Sequence, residues 1–226
     1  DAGLPGSADS GQREPASAES TAPAAPVSAS AATATARLAA RLPVLDRIIG
    51  QEGTEPGDLL LPLDVAVDAD GNLYVTDTTG VQELAADGQF VRRIGGDVLK
   101  TALGGLALSP DGRLYVTGFG PQVWIFRTAD GAADGTLGGP DSGEGALVEP
   151  VDVALDAAGS IYVADAGQAT IEKFAPDGTH LLTFGGRGDG AGKFTSPRSV
   201  AVDAEGRIYV GLGDDFLIQR FAPDGS

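Results

Sequence analysis

The stretch that decides the fold is PVDVALDAAGSIYVADAGQATIEKFAPDG, running from Pro150 to Gly178. Its apolar residues alternate with small or polar ones in three short runs, VDVAL, IYVA and TIEKF, and none of the runs continues at helical spacing. Alternation over a few residues puts every second side chain on one face, which predicts strands. Two turn pairs with glycine second, Ala158-Gly159 and Asp177-Gly178, punctuate the runs. Glycine takes the positive φ that tight hairpins require.

Outward from this stretch the same arrangement recurs. LYV at 73–75, LYV at 114–116, IYV at 161–163 and IYV at 208–210 place Tyr74, Tyr115, Tyr162 and Tyr209 at spacings of 41, 47 and 47. Before each lies another apolar alternation, VAVD at 65–68, LALS at 106–109, VALD at 153–156 and VAVD at 200–203. Downstream come a third run (VWIF at 123–126, IQRF at 218–221) and Asp-Gly turns at 87–88, 130–131, 177–178 and 224–225. A fourth run follows as FVRRIGG at 90–96 and LLTFGG at 181–186, reduced to GTLGG at 135–139. A four-strand unit recurring at these intervals predicts a propeller blade. A β-sandwich does not repeat one pair of glycine turns in register, and a parallel β-helix has a much shorter period. The fold class is therefore all-β, a β-propeller of four-stranded antiparallel blades.

GGRGDGAGKFTSPRSVAVDAEGRIYV, residues 185–210, resembles the NHL-repeat pattern: a Gly-rich connection, a Phe, a Pro, the VAVD strand, an acidic-Gly turn and the YV strand. The resemblance covers residues 44–226 and implies a propeller, six-bladed as is usual in that family; its motifs specify fold strongly and function weakly. Family repeats continue after the YV strand with Asp and then Ser-Gly-Asn. Asp77 and Asp165 keep the Asp, Gly118 and Leu212 replace it, and the Asn is absent throughout.

The ends carry further expectations. The fourth copy stops at Ser226, just after the turn that leads into an outermost strand, while VLDRIIGQEG at 44–53 resembles such a strand without the rest of its blade. Either that segment completes the last blade, or the chain is part of a six-bladed propeller; the second reading is preferred because a closed ring has no need of the Asp224-Gly225 turn. Residues 1–36 contain 25 that are Ala, Ser, Thr or Pro and no aromatic residue. Such a segment cannot offset the entropy of ordering. Residues 1–40 are thus read as a disordered linker and 41–226 as the propeller, with Leu38 and Leu42 on one side of a short transient helix. A spacer of this kind commonly separates a folded domain from an anchor, which suggests a secreted or extracytoplasmic protein tethered through an upstream segment.

Composition excludes several chemistries. The formal charge of −17 repels a phosphate backbone, so nucleic acid is not expected as a partner. Absence of Cys removes disulfides, thiolate metal sites and thiol nucleophiles. No apolar run approaches the roughly 18 residues that span a bilayer, so direct membrane insertion is not expected.

On a propeller, the connections between blades and the loops between second and third strands share one face with the channel mouth. Asp64 and Asp152 stand where the innermost strands begin, with Gly105 and Ser199 as their equivalents, and Asp77 and Asp165 end the neighbouring strands. These four carboxylates are the candidate ligand-binding residues, able in principle to converge on a hard cation. The competing and stronger reading is that each bonds local backbone N–H groups. Propeller lactonases and lyases use His or Asn with carboxylates around the channel. Here the single His, His180, is expected on the solvent side of an outermost strand, and the single Asn, Asn72, lies in a turn. A zinc site needs more nitrogen or sulfur ligands than these, so no metal and no cofactor is expected. The function that follows is a non-catalytic binding, scaffold or sensor propeller recognising a protein, peptide or glycan. The alternative is a metal-dependent hydrolase or lyase using the channel-mouth carboxylates, with Asp64 and Asp152 as base and metal ligand.

Overall fold

The computed structural model describes residues 45–226 except 97, 100–102, 119, 140, 214 and 215. The linker expected over 1–40 lies outside the described residues. Three blades carry four strands each. Blade 1 is β1 (Asp64–Val67), β2 (Leu73–Asp77), β3 (Gly80–Leu84) and β4 (Phe90–Ile94). Blade 2 is β5 (Leu103–Leu108), β6 (Arg113–Gly118), β7 (Val123–Arg127) and β8 (Ala133–Leu137). Blade 3 is β9 (Pro150–Leu155), β10 (Ile161–Asp165), β11 (Thr170–Phe174) and β12 (His180–Gly185). Blade 4 has three strands, β13 (Pro197–Val202), β14 (Ile208–Leu212) and β15 (Leu217–Phe221). Each blade is an antiparallel meander in sequence order, so the all-β propeller architecture read from the repeats holds.

Local chemistry explains the regularity. The last residue of the first strand's motif, Asp68, Asp156 or Asp203, accepts backbone N–H bonds from the following turn and the hydroxyl of the tyrosine six positions on. This Asp-to-Tyr clamp fixes the first hairpin, and the turn glycines take φ near +80°. The connections between blades show a second repeated device. Gly50, Gly95, Gly138 and Gly185 all adopt positive φ, and the space a Cβ would need is filled by Leu59, Leu99, Leu147 and Phe194 respectively. One apolar plug thus seats each connection.

The core is divided among the spaces between blades, as expected when both faces of a sheet are covered. Tyr74 packs with Leu106, Leu114, Val116 and Phe126 between blades 1 and 2. Tyr115 packs with Val153, Ile161, Val163 and Phe174 between blades 2 and 3. Tyr162 packs with Val200, Ile208, Val210 and Phe221 between blades 3 and 4. Along the axis β1 lies beside β5, β5 beside β9 and β9 beside β13, whereas β13 and β1 are not joined in this way. Residues 45–50 form no strand, and among the described residues β15 pairs with β14 alone. Among the described residues, the last blade read from the repeats therefore carries three strands.

Candidate functional site

The two carboxylates picked out from sequence stand at the entry of innermost strands, Asp64 first in β1 and Asp152 third in β9, and both are engaged in holding blades together. Asp64 Oδ1 accepts the Val65 N–H at 2.8 Å, and its Oδ2 accepts the N–H of Leu106 in the next blade at 2.8 Å. Asp152 repeats this one blade-pair later, accepting the Val153 N–H at 2.9 Å and the Val200 N–H of blade 4 at 2.8 Å. Two carboxylates thereby satisfy one N–H in each of four innermost strands. Threonine hydroxyls on the second strands add to the same joint: Thr76 Oγ1 donates to the Gly104 carbonyl at 3.1 Å and Thr117 Oγ1 to the Val151 carbonyl at 3.0 Å. Gly105 lies directly against Asp152 Oδ1, where any Cβ would collide with the carboxylate.

Asp77 and Asp165 behave differently. Both are fully buried. Asp77 accepts the Leu60 N–H at 3.1 Å and the Thr79 N–H at 2.7 Å, tying the incoming connection to the turn that follows β2. Asp165 accepts N–H groups of Val148, Glu149 and Gln168 at 2.7, 3.1 and 3.0 Å, together with the Gln168 side-chain amide at 3.1 Å. Each organises a loop on the channel-mouth face from within its own blade. Of the four candidates, Asp152 feels the charge of Asp64 across the inner face. Burial first, and the charge of Asp64 second, push the Asp152 carboxyl up to about 6, against the pull of its two backbone donors. Among the described residues no three His, Asp or Glu side chains gather closely enough to hold a metal ion.

His180 is not on the solvent side of its strand, as the sequence suggested. Its Nε2 lies 2.9 Å from Glu172 Oε2, its ring packs edge-on against Phe174 with centroids 5.4 Å apart, and Thr183 donates to the same carboxylate. The reason is a register shift between Lys173 and Phe174, which pairs Phe174 with His180 itself. Trp124 is half-buried and packs against the core between blades 1 and 2.

Sequence reasoning missed two elements of this face. Gln82 and Gln219, at the same place in β3 and β15, each reach back to a connection: Gln82 accepts from Gly57 N–H and donates to the Asp58 carbonyl, and Gln219 does the same with Gly192 and Lys193. The recurrent Gly-x-Leu/Phe of Gly57-Asp58-Leu59 and Gly192-Lys193-Phe194 was the available signal. Loops of this face also display large apolar side chains: Leu61 is 69% exposed, Val148 58% and Phe216 94%. Leu61 and Phe216 also stand at φ +53°, a conformation that bulky residues rarely adopt and that is found where surrounding structure imposes it.

No protein-family model matches the sequence, and comparison with curated proteins finds no match. Solved structures do resemble it. A protein of unknown function from Bacteroides caccae superposes with TM-score 0.51 at 16% identity, over 71% of this chain and 56% of the other. The WD40 β-propeller domain of Doa1 gives TM-score 0.54 at 16% identity, over 70% of this chain and 50% of the other. A streptogramin B lyase gives 0.48 at 15% identity, over 72% and 54%. The chain spans about half the length of these proteins. At such identity the likeness is one of fold, and the fold is the β-propeller.

Proposed function

We propose that this chain is a recognition module built from NHL-type propeller repeats, which binds a protein or peptide through the face formed by its connections. The observation that carries this reading is the display of Leu61, Val148 and Phe216 on loops from three different blades, around a channel mouth bearing Asp64 and Asp152. Exposed large apolar side chains gathered on one face are the anchors that protein interfaces use. The carboxylates themselves support the same view, since their oxygens already accept backbone N–H groups that would be orphaned if a cation or substrate took them. In this reading Asp77 and Asp165 contribute by positioning the loops, and Asp64 and Asp152 give the mouth a negative field that favours a basic ligand over an acidic one. The NHL assignment rests on the Gly185–Val210 pattern and on the repeated glycine-and-plug connections; an extracytoplasmic location follows the linker composition.

A displayed peptide library selected on the full chain tests this. Peptides so obtained should lose at least tenfold in affinity for a Leu61→Ser/Val148→Ser/Phe216→Ser variant and keep it for Asp130→Asn on the opposite face. Peptides indifferent to the triple variant would overturn the reading. So would metal-dependent turnover of lactone, ester or amide substrates that disappears in Asp152→Ala.

A further inference from the structure

The joints between successive blades differ at one position of the outermost strand, and the difference opens a groove between blades 2 and 3. In the strand pairings Tyr74 stands opposite Glu83 and Glu83 opposite Arg92; Tyr115, Ile125 and Gly135 are aligned likewise, as are Tyr162, Lys173 and Leu182. Arg92, Gly135 and Leu182 therefore hold the same place in β4, β8 and β12. From that place Arg92, with Ile94, covers Gly131 in the turn of the next blade, and Leu182, with Phe184, covers Gly225. Gly135 has no side chain to send across, and only Leu137 comes close to Gly178. A hollow of about 370 Å³ remains there, lined by Tyr115, Ile125, Asp134, Ile161, Pro176 and Asp177. Its size falls within the roughly 300–1,000 Å³ of small-ligand sites.

Blade 2 departs from the repeat a second time at the same groove. Asp68, Asp156 and Asp203 accept the tyrosine hydroxyl of their blades, but Ser109 stands in that place in blade 2, where it bonds Asp111 and the Arg113 backbone. The Tyr115 hydroxyl is hydrogen-bonded to the Arg113 side chain instead. Arg113 in turn reaches Asp134 through Nε at 3.1 Å and Asp111 through Nη1 at 3.4 Å. Arg127, close by, is paired with Asp130 at 2.8 Å. Asp111, Asp134 and Asp177 thus border the groove with Arg113 as the one cation among them. Past Arg113, Tyr115 and Pro176 the groove runs on into a second hollow of about 210 Å³, lined by Pro110, Asp111, Ala157 and Ala158.

Blade 1 shows what such a groove holds. Its occupant is an arginine of the chain itself: the Arg92 guanidinium donates to the Thr128 and Ala129 carbonyls at 2.6 and 3.2 Å and to the Glu83 carboxylate, while its stem lies against Gly131. Counted from Phe126 and Phe174, which hold equivalent places, Pro176 and Asp177 stand where Thr128 and Ala129 stand in the turn before. We propose that the groove between blades 2 and 3 binds an arginine side chain of an extended peptide, its stem over Ile125 and Leu137 and its guanidinium toward Asp134, Asp177 and the turn carbonyls. The excess of carboxylates selects a cation, and an apolar stem with a planar fork of donors is what arginine supplies. Two hollows in line suit an extended chain, with a small neighbouring residue in the second, better than a compact free amino acid. This groove lies on the side of the Asp-Gly turns, away from the channel mouth, and does not depend on the binding face proposed above.

An amide NMR titration of the full chain with a blocked pentapeptide, arginine at its centre and alanine on either side, tests this. Shifts should centre on Gly135, Leu137, Asp177 and Gly178 and saturate by about 5 mM peptide. Asp134→Asn and Asp177→Asn should each weaken binding about threefold or more, with the rest of the spectrum reporting an intact fold. Asp87→Asn removes the same charge from the corresponding turn of blade 1, and with Leu61→Ser/Val148→Ser/Phe216→Ser it should leave this binding unchanged, which separates the groove from a general attraction to a chain of formal charge −17. Citrulline in place of the arginine keeps the shape without the charge and should cost about tenfold or more. No saturable shift at these amides, equal binding of the citrulline peptide or of one with leucine, a loss in Asp87→Asn or the triple variant as large as in Asp177→Asn, or free L-arginine binding as tightly as the peptide would each overturn the proposal.

Discussion

Replacing Asp152 with Asn should change how stability depends on pH in a way that can be worked out from the structure. The carboxyl of Asp152 titrates near 3.8 when unperturbed and is pushed up to about 6 in the folded chain by burial and by Asp64. Between those values the folded state binds a proton that the unfolded state has lost, so folding is favoured as pH falls from 7 toward 4. Each pH unit inside that window is worth about 1.4 kcal/mol per group. Going from pH 7 to pH 5 crosses about one unit of it, so the wild type should gain roughly 1.4 kcal/mol relative to Asp152→Asn. The carboxamide keeps one acceptor for Val153 or Val200 and turns its NH₂ toward the other amide, a fixed cost that does not vary with pH. Urea unfolding of both proteins at pH 7, 6 and 5, compared as a double difference, removes that offset and the contribution of every other acid. Parallel stability profiles, or a wild type that loses ground to the variant on acidification, would refute the assignment of a raised carboxyl at this joint.

Other outcomes follow from the same framework. Phe194→Ala empties a fully buried site between Phe184 and Phe221 and should cost about 3–5 kcal/mol in urea unfolding. Gly185→Ala drives a Cβ into the Phe194 ring at a positive φ and should cost more than about 1 kcal/mol, whereas Gly190→Ala, with no atom within 4 Å and no positive φ, should change stability by less than about 0.5 kcal/mol. Asp165→Ala strands the N–H groups of Val148, Glu149 and Gln168 and should destabilise by about 3 kcal/mol or more, read as a lowered denaturation midpoint together with faster amide exchange confined to 146–149 and 165–168.

The fold was legible because the chain repeats itself. Four tyrosines in period-two runs, each preceded by an Asp or Ser and a glycine turn, allow little besides a blade. What the sequence hid were contacts between copies. That one carboxylate serves two successive blades cannot be read from Asp64 or Asp152 singly, because its second partner lies 42 or 48 residues downstream. That Asp77 and Asp165 bond backbone N–H groups was the stronger reading of the sequence; that the donors include the connection from the previous blade, folded over them, was not legible. His180 was misplaced for a local reason, a register shift that alternation alone does not reveal. The exposed Leu61 and Phe216 carried no signal at all, since a lone apolar residue in a loop is ordinary until its neighbours show what holds it there.

The central claim is that the channel-mouth carboxylates Asp64 and Asp152 join neighbouring blades; the proposed function adds that they do not wait for a cation or substrate. Amide hydrogen exchange at Leu106 and Val200, the two N–H groups held across a blade boundary, tests it most directly. Slow exchange at both, unchanged by excess calcium, manganese or zinc and accelerated at Leu106 by Asp64→Ala and at Val200 by Asp152→Ala, is the predicted result. Amides that exchange freely in the wild type, or whose protection shifts when a divalent metal is added, would contradict it.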